Sequence, residues 1–191
     1  MNPIEISPPE QLMKYIVGKW ISKPLYVAAE LGIADMFDEK PLSIEELAKR
    51  SQSYAPYLYR MMRALASVGI FSELQNKQFK ITPMAEFLKT GAMRSLVLMF
   101  NSDWSDEAWG SFLESIKTGH TAFEIAHNMP VTEWLEENPH AAEIFNEANA
   151  IKAASSHSVI LSDYDFKGIN SITDVGGGIG VLMLDILKAN P

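Results

Sequence analysis

Apolar positions recur at helical spacing along most of the chain. In "SPPEQLMKYIVGKW", Leu12, Ile16, Val17 and Trp20 fall on one face behind Ser7 as a helix cap, Pro8 in the first turn and Glu10 at the capping-box position. The pattern predicts a helix from about residue 8, kinked at Pro24 and stopped at Gly32. "SIEELAKR" carries a second capping box in Ser43 and Glu46, and "YLYRMMRALASVG" is apolar on all sides and ends at Gly69. "IFSELQNKQFKIT" then places Phe79 and Ile81 between polar neighbours after a polar turn at Gln75 to Lys77, as a hairpin does. Helix, helix, hairpin is a winged-helix order.

Beyond the hairpin, Thr82 and Pro83 predict a helix through Leu88. "RSLVLMF" and "DEAWGSFLESIKTG" predict two more, the latter stopped near Gly119. "TAFEIAHNMP" reads as loop. Asn138 and Pro139 cap a long helix whose Ile144, Phe145, Ala148 and Ile151 form an apolar stripe toward Ser158. The period then changes: "SITDV" is a short strand-like run, followed by glycines and the apolar helix "VLMLDILKA". This is one strand–loop–helix unit, and a parallel sheet needs several, because a lone strand leaves its backbone donors and acceptors unpaired.

Composition narrows the function. The chain has 191 residues, 47% of them hydrophobic, enough for a sizeable core. Twenty-four acids against sixteen Lys and Arg give a net charge of −8, which repels a nucleic-acid backbone unless the basic residues cluster, and they do not. Cysteine is absent, which excludes disulfides, thiolate metal sites and a cysteine nucleophile and suits a cytoplasmic location. The N-terminus lacks a secretion signal and no apolar run approaches a membrane span, so neither export nor membrane association is expected. No H-x-x-x-H pair offers zinc ligands on one helical face, and no metal is expected.

The chemistry concentrates in "DVGGGIG", residues 174–180. Glycines let the chain turn sharply and let a ligand approach the backbone, while the following helix presents unpaired N–H groups. A dinucleotide fingerprint would need a third glycine where Val181 stands, and no Lys-Ser or Lys-Thr pair follows as in a P-loop. The spacing D-x-G-x-G-x-G through Asp174, Gly176, Gly178 and Gly180 suits S-adenosylmethionine. A plain strand-to-helix turn without a ligand is the alternative.

Six blocks in order, "KPLYVAAELGIADMF", "RMMRALASVGIF", "FKITPMAEFL", "SIKTGHTAFE", "FNEANA" and "YDFKGINSITDVGGGIGVLMLDILKANP", make the chain resemble the small-molecule O-methyltransferases that use S-adenosylmethionine. The resemblance implies a mainly α chain. A winged-helix-like dimerisation domain would occupy residues 1–100, with helices that line the substrate over 101–165. Residues 166–191 would be the first strand–loop–helix of a Rossmann-like α/β methyltransferase domain, cut short at Pro191. It implies a homodimer, with Asp174, Gly176, Gly177 and Gly178 at the cofactor and Met99, Phe100, Phe145, Asn149 and Lys152 facing a small-molecule acceptor.

Relatives often carry Met and His where this chain has Asn149 and Lys152, which points to a more polar acceptor. The family's catalytic histidine, and an acid about twenty residues past the loop that holds the ribose, would both fall after Pro191. On this reading the chain dimerises but does not turn over. His120 and His127 are expected in an exposed loop and His140 at the surface, and no motif gives them or His157 the base role. Trp104 and Trp109 are expected to pack, and runs such as "EWLEENP" to be solvated faces. Two other readings stand beside this one. The first is a DNA-binding regulator with "YLYRMMRALASVG" in the groove, which offers only Arg60 and Arg63, with Lys77 and Lys80 on the hairpin. The second is a stand-alone dimerisation module.

Overall fold

The computed structural model describes residues 7–38, 40–178 and 180–190, leaving aside the side chains of 154–158. The protein is mainly helical and divides into two compact units, Met1–Asn101 and Ser102–Pro191.

The first unit begins with α1 (Pro8–Ile16) and α2 (Lys19–Glu30). The Glu10 carboxylate accepts from both the Ser7 amide and the Ser7 hydroxyl, as the capping box requires. The single kinked helix is corrected: the chain breaks at Val17 and Gly18, and Pro24 sits inside an unbroken α2. Glycine loses more freedom in a helix than any other residue, and it takes the break. Gly32 stops α2 in the left-handed conformation at φ +63°.

Helices α3 (Ile44–Arg50) and α4 (Ala55–Ser67) follow, α3 capped by the Ser43 hydroxyl, which accepts from the Glu46 amide. The apolar ring read along α4 resolves into sides: Leu58, Met62 and Leu65 are buried, while Tyr54 and Tyr57 face outward. Strands β1 (Leu42–Ser43), β2 (Phe71–Glu73) and β3 (Gln78–Ile81) form an antiparallel sheet in the order β1-β3-β2, with Leu42 and Glu73 both opposite Phe79. Phe79 is fully buried between the sheet and α4, edge-on to Tyr59 at 6.1 Å, and Phe37 stacks on Phe71 at 5.8 Å.

The helix predicted from Thr82 to Leu88 shrinks to one 3-10 turn, Ala85–Leu88. The Thr82 hydroxyl donates to the Ile70 carbonyl at 2.6 Å while accepting from the Ala85 amide, so it ties the chain back to the hairpin. Helix α5 (Arg94–Asn101) packs on α2. Two cations close this pair: Arg94 Nε donates to the Ala29 carbonyl at 2.7 Å, and Lys23 Nζ donates to the Asn101 carbonyl at 2.6 Å. Each meets the negative end of the opposite helix.

In the second unit, α6 (Asp103–Gly110), α7 (Phe112–Thr118), α8 (Ala122–His127), α9 (Val131–Glu137), α10 (Pro139–Asp163) and α11 (Val181–Ala189) succeed one another. The helix predicted over "DEAWGSFLESIKTG" splits at Ser111, and Gly119 at φ +78° stops the second half. "TAFEIAHNMP" is not a loop but contains α8. The Thr121 hydroxyl accepts from the Glu124 amide, and left-handed Asn128 ends the helix. The strand expected at "SITDV" is likewise corrected. Residues 171–175 are irregular and Val175 is 91% exposed, for no strand among the described residues of this unit lies alongside to complete a ladder. Helix α11 packs on α10, burying Ile186, and α10 turns Ala141 and Ala148 inward.

Candidate functional site

The glycine loop and α10 build the site. Gly176, Gly178 and Gly180 take left-handed φ values of +74°, +57° and +73°, which reverse the chain into the first turn of α11. Gly177 has a different reason to be glycine: a Cβ there would overlap the Asp174 carboxylate. The carboxylate is thus folded over its own loop.

Opposite the loop, α10 presents Phe145, Asn146 and Asn149, with Ala150 and Ala153 further along. These residues, Asp174, Gly176 to Gly178, Val181 and Leu182 enclose a cavity of about 450 Å³. The structure therefore brings together Asp174, Gly176, Gly177, Gly178, Phe145 and Asn149. Lys152 lies on the same helix, exposed and outside the lining. Met99 and Phe100 belong to α5 of the first unit, where Met99 is buried and Phe100 half-exposed. Asn146 was missed, although its place three residues before Asn149 on one helix put it near the same face.

The histidines resolve differently from their reading in sequence. His127 is neither in a loop nor exposed. Its side chain is 7% exposed on α8, with its ring 4.3 Å from Phe123 and 5.3 Å from Trp134. Its Nε2 lies 2.9 Å from the Trp104 carbonyl and donates there, leaving Nδ1 to face the Glu107 carboxylate at 3.6 Å. Trp104 completes the cluster, 5.6 Å from Trp134, as packing material. His120 and His140 are exposed, and the side chain of His157 lies outside the described residues. Neither His120, His127 nor His140 lines the cavity.

Among the described residues no group of His, Asp and Glu could hold a metal ion, and no helix is long and apolar enough to cross a membrane. The perturbed titrations sit elsewhere. Arg50 donates to Glu46 and holds that carboxyl below the usual range, and the Glu73 carboxylate, accepting from the Tyr59 hydroxyl, raises the phenol.

A glycine loop facing a long helix in one unit, and a helical unit with a small sheet in the other, are features to set beside known proteins. The chain belongs to the O-methyltransferase family: residues 13–91 match the O-methyltransferase dimerisation domain and residues 101–191 match the O-methyltransferase domain. Phenazine O-methyltransferase of Lysobacter antibioticus is 37% identical over 183 residues, covering 94% of this chain and 53% of that protein. Phenazine-1-carboxylate N-methyltransferase of Pseudomonas aeruginosa is 31% identical, over all of this chain and 57% of that protein. The crystal structure of LaPhzM superposes with a TM-score of 0.93 at 35% identity, covering 97% of this chain and 57% of that one. The chain spans about half the length of the curated relatives it matches. S-adenosylmethionine is the cofactor of the family, and solved structures of this fold hold it or S-adenosylhomocysteine.

The residues fit that cofactor. The glycines keep the loop free of side chains, Asp174 offers an acceptor-only carboxylate to hydroxyl or ammonium donors, and Phe145 supplies an apolar wall.

Proposed function

We propose that this chain provides the dimerisation region and the donor-binding corner of an O-methyltransferase that acts on a hydroxyl of a small aromatic or polyketide-like molecule. One observation carries the reading: the Asp174–Gly178 loop and the Phe145–Asn149 turn of α10 face a single cavity. S-adenosylmethionine, when bound, supplies an electrophilic methyl group. This chain's own residues hold it: Asp174 and the loop amides bind and orient it, while Phe145, Val181 and Leu182 keep water from that side. Positioning of this kind lowers the barrier by fixing the reacting atoms in line.

The first unit is read as a winged-helix-like dimerisation domain over residues 1–100, followed by substrate-lining helices over 101–165 and the start of a Rossmann-like domain over 166–191. α1 and its junction with α2 support the homodimer. Leu12, Tyr15, Ile16 and Trp20 are 61%, 83%, 65% and 73% exposed, a contiguous apolar face of the sort that a second copy covers. DNA binding is disfavoured because the net charge of −8 repels a phosphate backbone and Arg63 on α4 already faces the Glu73 carboxylate at 3.3 Å.

The test is titration of the full-length protein with S-adenosylhomocysteine, followed by a labelled-methyl assay against a panel of phenols. Uptake and methylation of oxygen are expected. Absence of uptake, or a salt-dependent shift of duplex DNA, would overturn the reading.

A further inference from the structure

We propose that Asn138, anchored through Trp134 in the buried His127 cluster, is a positioning residue that sets where α10 stands opposite the glycine loop. This rests on the methyltransferase reading and concerns how the same cavity is held in shape.

Asn138 belongs to two helices at once, as the end of α9 and the start of α10. Its backbone amide donates to the Leu135 carbonyl at 3.2 Å, and its own carbonyl accepts from the Ala142 amide at 3.0 Å. An asparagine before a helix ordinarily turns its side chain forward, where the amide oxygen accepts from a free N–H of the first turn. Asn138 does otherwise. Among the described residues its side chain makes no cap bond to α10, and its Nδ2 donates backward to the Trp134 carbonyl at 2.7 Å. That bond satisfies one of the carbonyls that the end of α9 leaves open. α10 thereby forgoes a cap and gains a fixed joint.

The group that receives this bond is itself held. The Trp134 ring lies 5.3 Å from His127, 5.6 Å from Trp104 and 5.8 Å from Phe123. His127, with its side chain 7% exposed, is tied in turn to the Trp104 carbonyl on α6 at 2.9 Å. Helices α6, α8 and α9 thus hold one side of the joint, and α10 extends from the other. Phe145 stands about 10 Å along the helix axis from Asn138, so a tilt of about 5° at the joint would move the cavity wall by about 1 Å. Displacements of that size weaken a positioned contact.

Asn138→Asp separates the two uses of the side chain, because a carboxylate can cap α10 but cannot donate to the Trp134 carbonyl. In the full-length protein the amides of Leu135 to Asn138 should exchange hydrogen roughly two- to tenfold faster, the worth of one net hydrogen bond. Those of His140 to Ala142 should exchange no faster than in the wild type. The melting temperature should stay close to that of the wild type, since the new cap offsets the lost bond. S-adenosylhomocysteine, titrated by calorimetry, should nevertheless bind roughly three- to tenfold more weakly. Asn138→Ala, which keeps neither bond, should lose the same affinity and melt lower as well. A role in stability alone would lower affinity only in Asn138→Ala.

Affinity within about twofold of wild type in Asn138→Asp overturns the proposal, as does unchanged exchange in the last turn of α9. A wild type that takes up no S-adenosylhomocysteine fails at the methyltransferase reading itself, and the exchange pattern then decides whether the joint holds α10.

Discussion

Gly177→Ala isolates the part that Asp174 plays. The new Cβ would stand where the Asp174 carboxylate now lies. Gly177 is not among the left-handed glycines, so alanine meets no backbone strain there. The short aspartate side chain can rotate out of the way at little cost, and the loop is exposed, so the melting temperature should barely move. What is lost is the carboxylate's position over the loop. A charge-assisted hydrogen bond is worth about 1.5–3 kcal/mol, so S-adenosylhomocysteine should bind roughly ten- to 150-fold more weakly. Calorimetry on the full-length protein reads this directly.

Asp174→Ala should cost a similar factor. The double variant should cost no more than either alone, because both act through one carboxylate. Affinity within about twofold of wild type for Gly177→Ala, or losses that multiply in the double variant, would refute the reasoning.

Phe79→Ala removes the ring at the centre of the small sheet and should destabilise the first unit by about 3–5 kcal/mol, seen as a lower urea midpoint. His127→Ala removes a buried imidazole and leaves the Trp104 carbonyl without its donor. It should cost about 1–3 kcal/mol and weaken the near-ultraviolet signal of Trp104 and Trp134. Glu46 titrates below its ordinary value near 4.5, so its contribution to stability is present above that value and fades as pH falls through the lowered one; Arg50→Ala should flatten this acid limb of the stability profile. Tyr59 is raised above 10.0, so its contribution is complete below that value and is lost as pH climbs through the raised one. Tyr59→Phe should remove that alkaline limb in pH-dependent melts.

The local signals held because they act within a turn or two. Ser7 with Glu10 and Ser43 with Glu46 start helices where their side chains can reach the first free amides, and Gly32, Gly69 and Gly119 stop helices where only glycine turns left-handed cheaply. Thr121 and Glu124 had the same capping spacing and were passed over, so α8 was legible but unread. The run of glycines in "DVGGGIG" marked a tight turn into α11, and the structure has one, but that Gly177 leaves room for the Asp174 carboxylate is visible only in three dimensions.

Other features had no local signature. β1 is two residues long and exists only because β3 lies beside it; "SITDV" has strand-forming residues but no neighbour, and it stays irregular. His127 is polar by type yet buried, because three aromatic residues from α6, α8 and α9 converge on it. Asn146 became a cavity residue only when the glycine loop folded opposite α10. Hydrogen bonds to near neighbours are encoded in spacing, whereas ladder pairing and burial depend on which distant segment arrives, and that is decided by packing.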